Sequence, residues 1–317
     1  MVIIAVAGGT GGIGRAIAEA IHRKPGYEVK IFSRTIGIDV IAVNYHNVES
    51  LTRTLEVYDV DTVVSTLFVT TDGTPQVNLV RAAELSKKTR RFIPSIWGIP
   101  YSEDQVNERN MQIGRSKLEA VEALQLTNLE YTLFYVGYFL DFWGYPRVPS
   151  YQRQNIIVVD IKHSTAAIPG TGDTPVTFTH TFDVAEFVAA SLDLPEWDRE
   201  SYVVGDTVTW NEFLRIAEKV KGKRFQVAHD TLDKLLAGTI TELPSHPSLY
   251  SQMPKEQIQA LFATFGVWFE QGLFHLKPTK TLNMVFPEIV ARTVEDILTE
   301  GWKSGEECKL VSSCRCT

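Results

Sequence analysis

The chain has 317 residues, 31 Lys+Arg against 38 Asp+Glu, and a formal net charge of -7. That acidic balance, with no basic stripe, excludes an electrostatic footprint for nucleic acid, and the length allows one large domain or two coupled ones. The longest apolar-aromatic stretch, Tyr131 to Leu140, includes Thr132 and falls short of the roughly 17–25 residues that span a bilayer.

Met1 leads directly into an apolar run with no basic segment before it, so no secretory signal is expected. Val2–Ala7 is continuously apolar and ends in glycines, as a strand buried on both faces should be. Ile13, Ile17 and Ile21 then recur every four residues along one helix face. The alternation continues through strands Glu28–Phe32 and Ile38–Val43, helix Val48–Tyr58, strand Thr62–Thr66, helix Val77–Lys87 and strand Arg91–Pro94. A long helix over Val106–Gln125 and a strand over Tyr131–Tyr135 follow. Strands alternating with helices predict an α/β fold: a Rossmann-like, doubly wound parallel sheet.

After Tyr145 the pattern loosens. The spacing predicts a strand over Asn155–Asp160, a helix over Asp183–Leu194 with Asp183 as N-cap, and a capping box at Thr209–Glu212 opening a helix to Val220. Helices over Lys255–Phe269 and Thr293–Glu300 complete the reading. The expected domains are 1–145 for dinucleotide binding, 146–303 for a smaller, variable substrate lobe, and 304–317 as a disordered tail. Residues 183–205 are expected to pack back on the first domain. Cys308, Cys314 and Cys316 all lie in that tail, so no disulfide framework is expected and a reducing, cytoplasmic setting fits. The terminal CRCT offers a poor prenylation site, because Arg315 and Cys316 occupy its aliphatic positions.

The strongest chemical signal is AGGTGGIGRAIAEAI at residues 7–21. Gly8, Gly11 and Gly14, with Thr10, Gly12 and Ile13 between them, stand between a strand and a helix. Glycine permits a tight turn and close backbone approach to a pyrophosphate, and the helix amino end supplies free N–H donors. At the end of the second strand, Ser33-Arg34 replaces the acidic residue that would serve an NAD ribose; a guanidinium suits a 2′-phosphate instead, which points to NADPH. By position, Asn44 and Tyr45 would bound the adenine, and Thr66, Leu67 and Phe68 would cover the ribose and pyrophosphate.

Taken together, GGTGGIG, the Ser-Arg pair, FIPSIWG (92–98) and Lys117 within GRSKLEAVEAL resemble the NmrA-like and isoflavone reductase-like branch of the atypical short-chain dehydrogenases. LEYTLFYVGYFLDFW (129–143) is similar to fungal reductases of natural-product pathways in that branch. The resemblance covers about residues 1–300. It implies NADPH stretched across the strand ends, with Pro94, Ser95, Tyr135, Val136 and Gly137 beside it, and a small lobe over the nicotinamide.

Ordinary short-chain dehydrogenases use Tyr-x-x-x-Lys, but Ile113 stands four before Lys117 and transfers no proton. The resemblance therefore implies Lys117 as the catalytic group, beside the nicotinamide ribose, where a partly buried ammonium can have its pKa lowered. The bland alternative is a helix-surface lysine paired with Glu119 or Glu122. Trp97, Tyr138, Phe139, Phe142, Trp143 and Trp268 are the candidate substrate lining for a flat aromatic or alkaloid-like molecule; core packing is the competing explanation for each. No histidine or cysteine stands at metal-ligand spacing, so no metal is expected.

The function so implied is an oxidoreductase that delivers hydride from NADPH to a C=C, C=N or related carbon. Cyclisation coupled to that reduction remains open. The alternatives are a non-catalytic dinucleotide sensor and a redox-neutral isomerase or cyclase that keeps NADP(H) bound.

Overall fold

The computed structural model describes residues 1–303 apart from 36, 38–39, 69–71 and 109–111. The expectations for the tail 304–317 and for the start of the third strand at Ile38 lie outside the described residues. Strands β1 (Val2–Ala7), β2 (Tyr27–Ser33), β3 (Val40–Ala42), β4 (Val60–Ser65), β5 (Arg91–Ile93) and β6 (Glu130–Tyr131) form one sheet in the order β3-β2-β1-β4-β5-β6. Every neighbouring pair is parallel. The order reverses between β1 and β4, so their carboxyl ends open a crevice at the switch point, where ligands of such sheets bind.

Helices cover both faces. α1 (Gly12–His22), α2 (Val48–Val57) and α3 (Thr74–Leu85) are the crossovers, and α1 buries Ile13, Ile17 and Ile21 as their spacing predicts. Where the long helix is predicted over Val106–Gln125, the described residues hold α4 (Glu103–Glu108) and α5 (Gln112–Gln125), and the stretch between them lies outside the described residues.

The predicted strand Tyr131–Tyr135 changes partners midway. β6 pairs with β5, whereas β7 (Leu133–Tyr135) pairs in parallel with β12 (Glu200–Tyr202). Buried Thr132, between them, meets the Ser201 hydroxyl at 2.8 Å. β7 leads into β8 (Tyr138–Phe139) and a 3₁₀ turn over Leu140–Trp143.

The remaining strands form small mixed sheets that sequence periodicity largely misses. β9 (Val159–Asp160) and β14 (Gln226–Asp230) flank β10 (Thr165–Pro169), and β11 (Pro175–Thr179) lies between β8 and β13 (Asp206–Thr209). Only the last two residues of the strand predicted over Asn155–Asp160 form one. Strands this short give too few alternations for a period to show.

Helix α6 (Thr181–Ser191) buries Val184, Phe187 and Val188 in the same cluster as Ile17 and Ile21 of α1. Its N-cap is His180, whose Nδ1 accepts from Phe182 N at 3.2 Å, and not Asp183 as the sequence implied. Asp183 instead accepts from the Arg292 guanidinium at 2.8 Å, a long-range partner that displaces the local cap. The capping box at Thr209 opens α7 (Trp210–Lys221) as predicted. α8 (Leu232–Leu236), α9 (Lys255–Glu270), α10 (Leu282–Val285) and α11 (Val294–Trp302) complete the chain, the last capped by Thr293. No helix among the described residues is long and apolar enough to cross a membrane.

Candidate active site

The glycine turn joins β1 to α1 at the switch point. Gly8 adopts φ +85°, and a Cβ there would meet the Thr66 carbonyl and hydroxyl oxygens at 2.9 Å. A Cβ at Gly14 would overlap the Thr66 hydroxyl and lie 2.6 Å from Gly8 O. Thr66 thus fills the space that the two glycines vacate; its own hydroxyl bonds Ala7 O at 2.8 Å. Beyond Gly11 the space is open, and Gly11 caps α1 with no side-chain hydrogen bond. The first N–H groups of α1 therefore have no capping side chain, which is the cradle an anionic diphosphate requires. Thr10 is exposed beside it.

At the end of β2, Arg34 is exposed and the Ser33 hydroxyl lies 3.3 Å from that of Thr35. This arrangement leaves a guanidinium for a phosphate. Asn44 is also exposed, although its Oδ1 accepts from His46 N. Tyr45 is different: it is buried, and its hydroxyl donates to Phe32 O at 3.1 Å. Its ring packs in the core beside the end of β2. Leu67 is half-buried and Phe68 is 94% exposed at the crevice.

Lys117 projects from α5 toward the end of β5. Its Nζ donates to Ile96 O and, at 3.3 Å, to Ser95 O. Among the described residues it has no carboxylate partner, so the surface ion pair with Glu119 or Glu122 does not form. Burial lowers its pKa to about 7, because an ammonium stripped of water without a counter-charge is disfavoured. The Tyr101 ring centroid lies 5.6 Å from Nζ. Ser95 itself is fixed by Gln76, whose Oε1 accepts from Ser95 N at 2.7 Å and from the Ser65 hydroxyl at 2.9 Å. Buried Gln76 thereby ties the ends of β4 and β5 together; Pro94 is buried beside them.

Past Lys117 the chain contributes backbone more than side chains. Val136 N and Gly137 N both donate to Gly98 O, and Gly137 takes φ +70° against Thr177. Val136 is fully buried, and the Tyr135 ring packs on Tyr202 at 5.2 Å.

The predicted aromatic lining divides in two. Trp97 is buried at φ +29°, its indole donates to Ser65 O at 2.9 Å, and its ring tilts against Phe134. Trp143 is 1% exposed, donates to Val159 O at 2.8 Å, and packs on Trp210 and Phe213. Both tryptophans are buried with satisfied indoles. Phe139 and Phe142 are half-buried. Tyr138 and Trp268 are buried, yet Tyr138 OH and Trp268 Nε1 have no hydrogen-bond partner among the described residues. Trp268 meets Tyr101 edge-on at 6.1 Å, which links the second lobe to the ring beside Lys117. An unpaired buried polar group carries a desolvation cost of about 1–3 kcal/mol, which a bond to water or a ligand relieves.

Two features escaped the sequence. Tyr101 lies in an irregular loop with no motif around it. Asp141, also missed, is buried and accepts from Thr181 N at 2.9 Å, from the Thr181 hydroxyl at 2.6 Å and from Ser150. The His180 ring faces the same carboxylate at 3.6 Å, and burial lowers its pKa. Among the described residues no cluster of His, Cys, Asp and Glu is placed to hold a metal.

Residues 2–287 match the model of the NmrA-like family. The chain belongs to that family. It is 35% identical to oxidoreductase BOA1 of Botryotinia fuckeliana over 92% of this chain and 96% of that one. It is 31% identical to oxidoreductase swnN of Metarhizium robertsii over 95% and 98%. With such relatives across its whole length, this NmrA-like protein is an oxidoreductase. The fold is shared with AtPrR2 solved with NADP+ and (+)pinoresinol: TM-score 0.72 at 18% identity, covering 94% of this chain and 97% of that one.

Proposed function

We propose that the chain is an NADPH-dependent reductase that delivers hydride to a C=C, C=N or related carbon of an aromatic or alkaloid-like small molecule in secondary metabolism, with reduction coupled to cyclisation where the substrate forms an imine or iminium. The observation that carries this reading is Lys117: an ammonium with no carboxylate partner among the described residues, lying between the end of β5 and the aromatic lobe. A pKa of about 7 leaves it able to give a proton at neutral pH. A sensor has no use for such a group.

The residues fit the cofactor. Gly8, Gly11 and Gly14 admit a pyrophosphate where a Cβ would intrude or the space is open, and the uncapped start of α1 faces negative charge. Arg34 and Ser33 would hold the 2′-phosphate, and Ser95, Val136 and Gly137 would line the nicotinamide end. Bound there, NADPH supplies the hydride. Lys117 holds the proton at Nζ, and the Ser95 and Ile96 carbonyls aim it. Tyr138, Phe142 and Trp268 would exclude water and orient a flat substrate, with Tyr138 OH and Trp268 Nε1 as the polar contacts. Support for an aromatic substrate comes from the pinoresinol held by AtPrR2.

The test follows NADPH absorbance against a panel of aromatic enones, cyclic imines and quinone methides, alongside calorimetric titration of NADPH and NADH. Tight NADPH binding with turnover of one of these classes is expected. Tight binding together with rearrangement of a panel member at constant absorbance would replace the reductase with a redox-neutral enzyme.

A further inference from the structure

One segment of the second lobe reaches over the glycine turn. Residues 150–152 follow the 3₁₀ turn and lie along α1. The Gln152 side-chain amide stands against Gly12: a Cβ there would lie 3.5 Å from Gln152 Oε1 and 3.6 Å from Nε2. Gly12 adopts φ +52°, a left-handed conformation in which a side chain would be strained. In that amide Nε2 is a donor of two N–H groups, and it belongs to no motif that the sequence displays.

The segment is fastened on three sides. Tyr151 donates to Glu19 Oε2 at 2.7 Å, and the Arg15 guanidinium lies 4.0 Å from the centroid of its ring. Arg15 and Glu19 close that contact with their own ion pair at 2.9 Å. Toward the second lobe, the Tyr151 ring packs on Phe182 at 5.2 Å. Gln152 N donates to the Ser150 hydroxyl at 3.0 Å, and that hydroxyl donates to buried Asp141 at 2.5 Å. Each link is modest where exposed, but together they fix the backbone of Gln152 relative to α1. A backbone already held in place leaves only the side chain to be ordered on binding.

We infer that Gln152 is a pyrophosphate-binding residue: its amide, held beside Gly12 at the α1 amino end, donates to the cofactor diphosphate, and Tyr151 positions it. The inference rests on the NADPH reading above. It assigns a cofactor contact to the second lobe, so diphosphate binding and the 3₁₀ turn that carries Phe142 are joined through Ser150 and Asp141.

The test is calorimetric titration of the full chain with NADPH and with adenosine 2′-monophosphate, which lacks the pyrophosphate. Gln152→Ala should raise the NADPH Kd about tenfold, as expected for a lost hydrogen bond to a charged group. Gln152→Glu should raise it further, by placing a carboxylate against the diphosphate. Both variants should bind adenosine 2′-monophosphate within threefold of the starting protein, with unchanged circular dichroism. Tyr151→Phe should show a smaller loss, confined to NADPH. NADPH binding within threefold of the starting protein in both Gln152 variants overturns this inference and leaves the reductase intact. Equal losses for both ligands also overturn it, since they would place Gln152 in folding or adenosine binding. A starting protein that binds no NADPH removes the reading beneath it and the inference together.

Discussion

Lys117 Nζ lies 5.6 Å from the ring centroid of Tyr101 and 3.3 Å from the carbonyl oxygen of Ser95. The lysine thus sits among a ring face and carbonyl dipoles and faces no carboxylate among the described residues. Aromatic quadrupole and carbonyl oxygens offset part of the desolvation cost of the ammonium, leaving a group poised between its two protonation states.

Lys117→Met should keep the stem's volume and remove the proton. We expect turnover to fall at least about 10²-fold, the lower range for a positioned acid or base. NADPH affinity should fall less, because the glycine turn and Arg34 are unchanged. Single-turnover absorbance with an identified substrate checks this; a loss under threefold would take Lys117 out of the chemistry.

The depressed lysine pKa has two pH signatures. As proton donor, Lys117 should make kcat/KM decline as pH rises through about 7. Stability moves the other way. The folded pKa lies below the unfolded value of 10.5, so the unfolded chain binds more protons between the two. Stability relative to Lys117→Met should therefore rise from pH 7 toward 10, by on the order of 1 kcal/mol per pH unit. Urea unfolding of both proteins at pH 7 and 9.5 measures it; a constant difference would show that the buried ammonium is not strained.

Cofactor choice should follow Arg34. We expect NADPH to bind more tightly than NADH, and Arg34→Ala to remove most of that preference, about tenfold to a hundredfold. Fluorescence titration of both nucleotides tests it, and equal affinities in the starting protein would refute the assignment.

Two tryptophans should behave oppositely. Trp143 packs fully buried with its indole on Val159 O, so Trp143→Ala should cost about 3–5 kcal/mol of stability. Trp268→Phe keeps an aromatic and deletes an N–H that has no partner among the described residues. Melting temperature should hardly move, while KM for the true substrate should rise severalfold. A large stability loss in Trp268→Phe would assign it to the core.

The first half of this protein was legible in its sequence because local rules govern it. A strand buried on both faces must be continuously apolar, a crossover helix must repeat every three or four residues, and a diphosphate-binding turn must have glycines. Those constraints made β1, α1 and Gly8–Gly14 readable, and the same physics made the capping box at Thr209 plain. Tertiary structure decided the rest. Whether a buried indole finds a partner depends on what faces it across the chain: Trp97 and Trp143 found distant carbonyls, whereas Trp268 Nε1 has no partner among the described residues. Asp183 lost the role of cap because Arg292, more than a hundred residues later, folds onto it. Tyr101 and Gln152 show no pattern at all, since each acquires its place only when separate segments close on Lys117 and on Gly12. Periodicity records the face a residue turns toward its own element; it carries no record of the partner brought to that face by the fold.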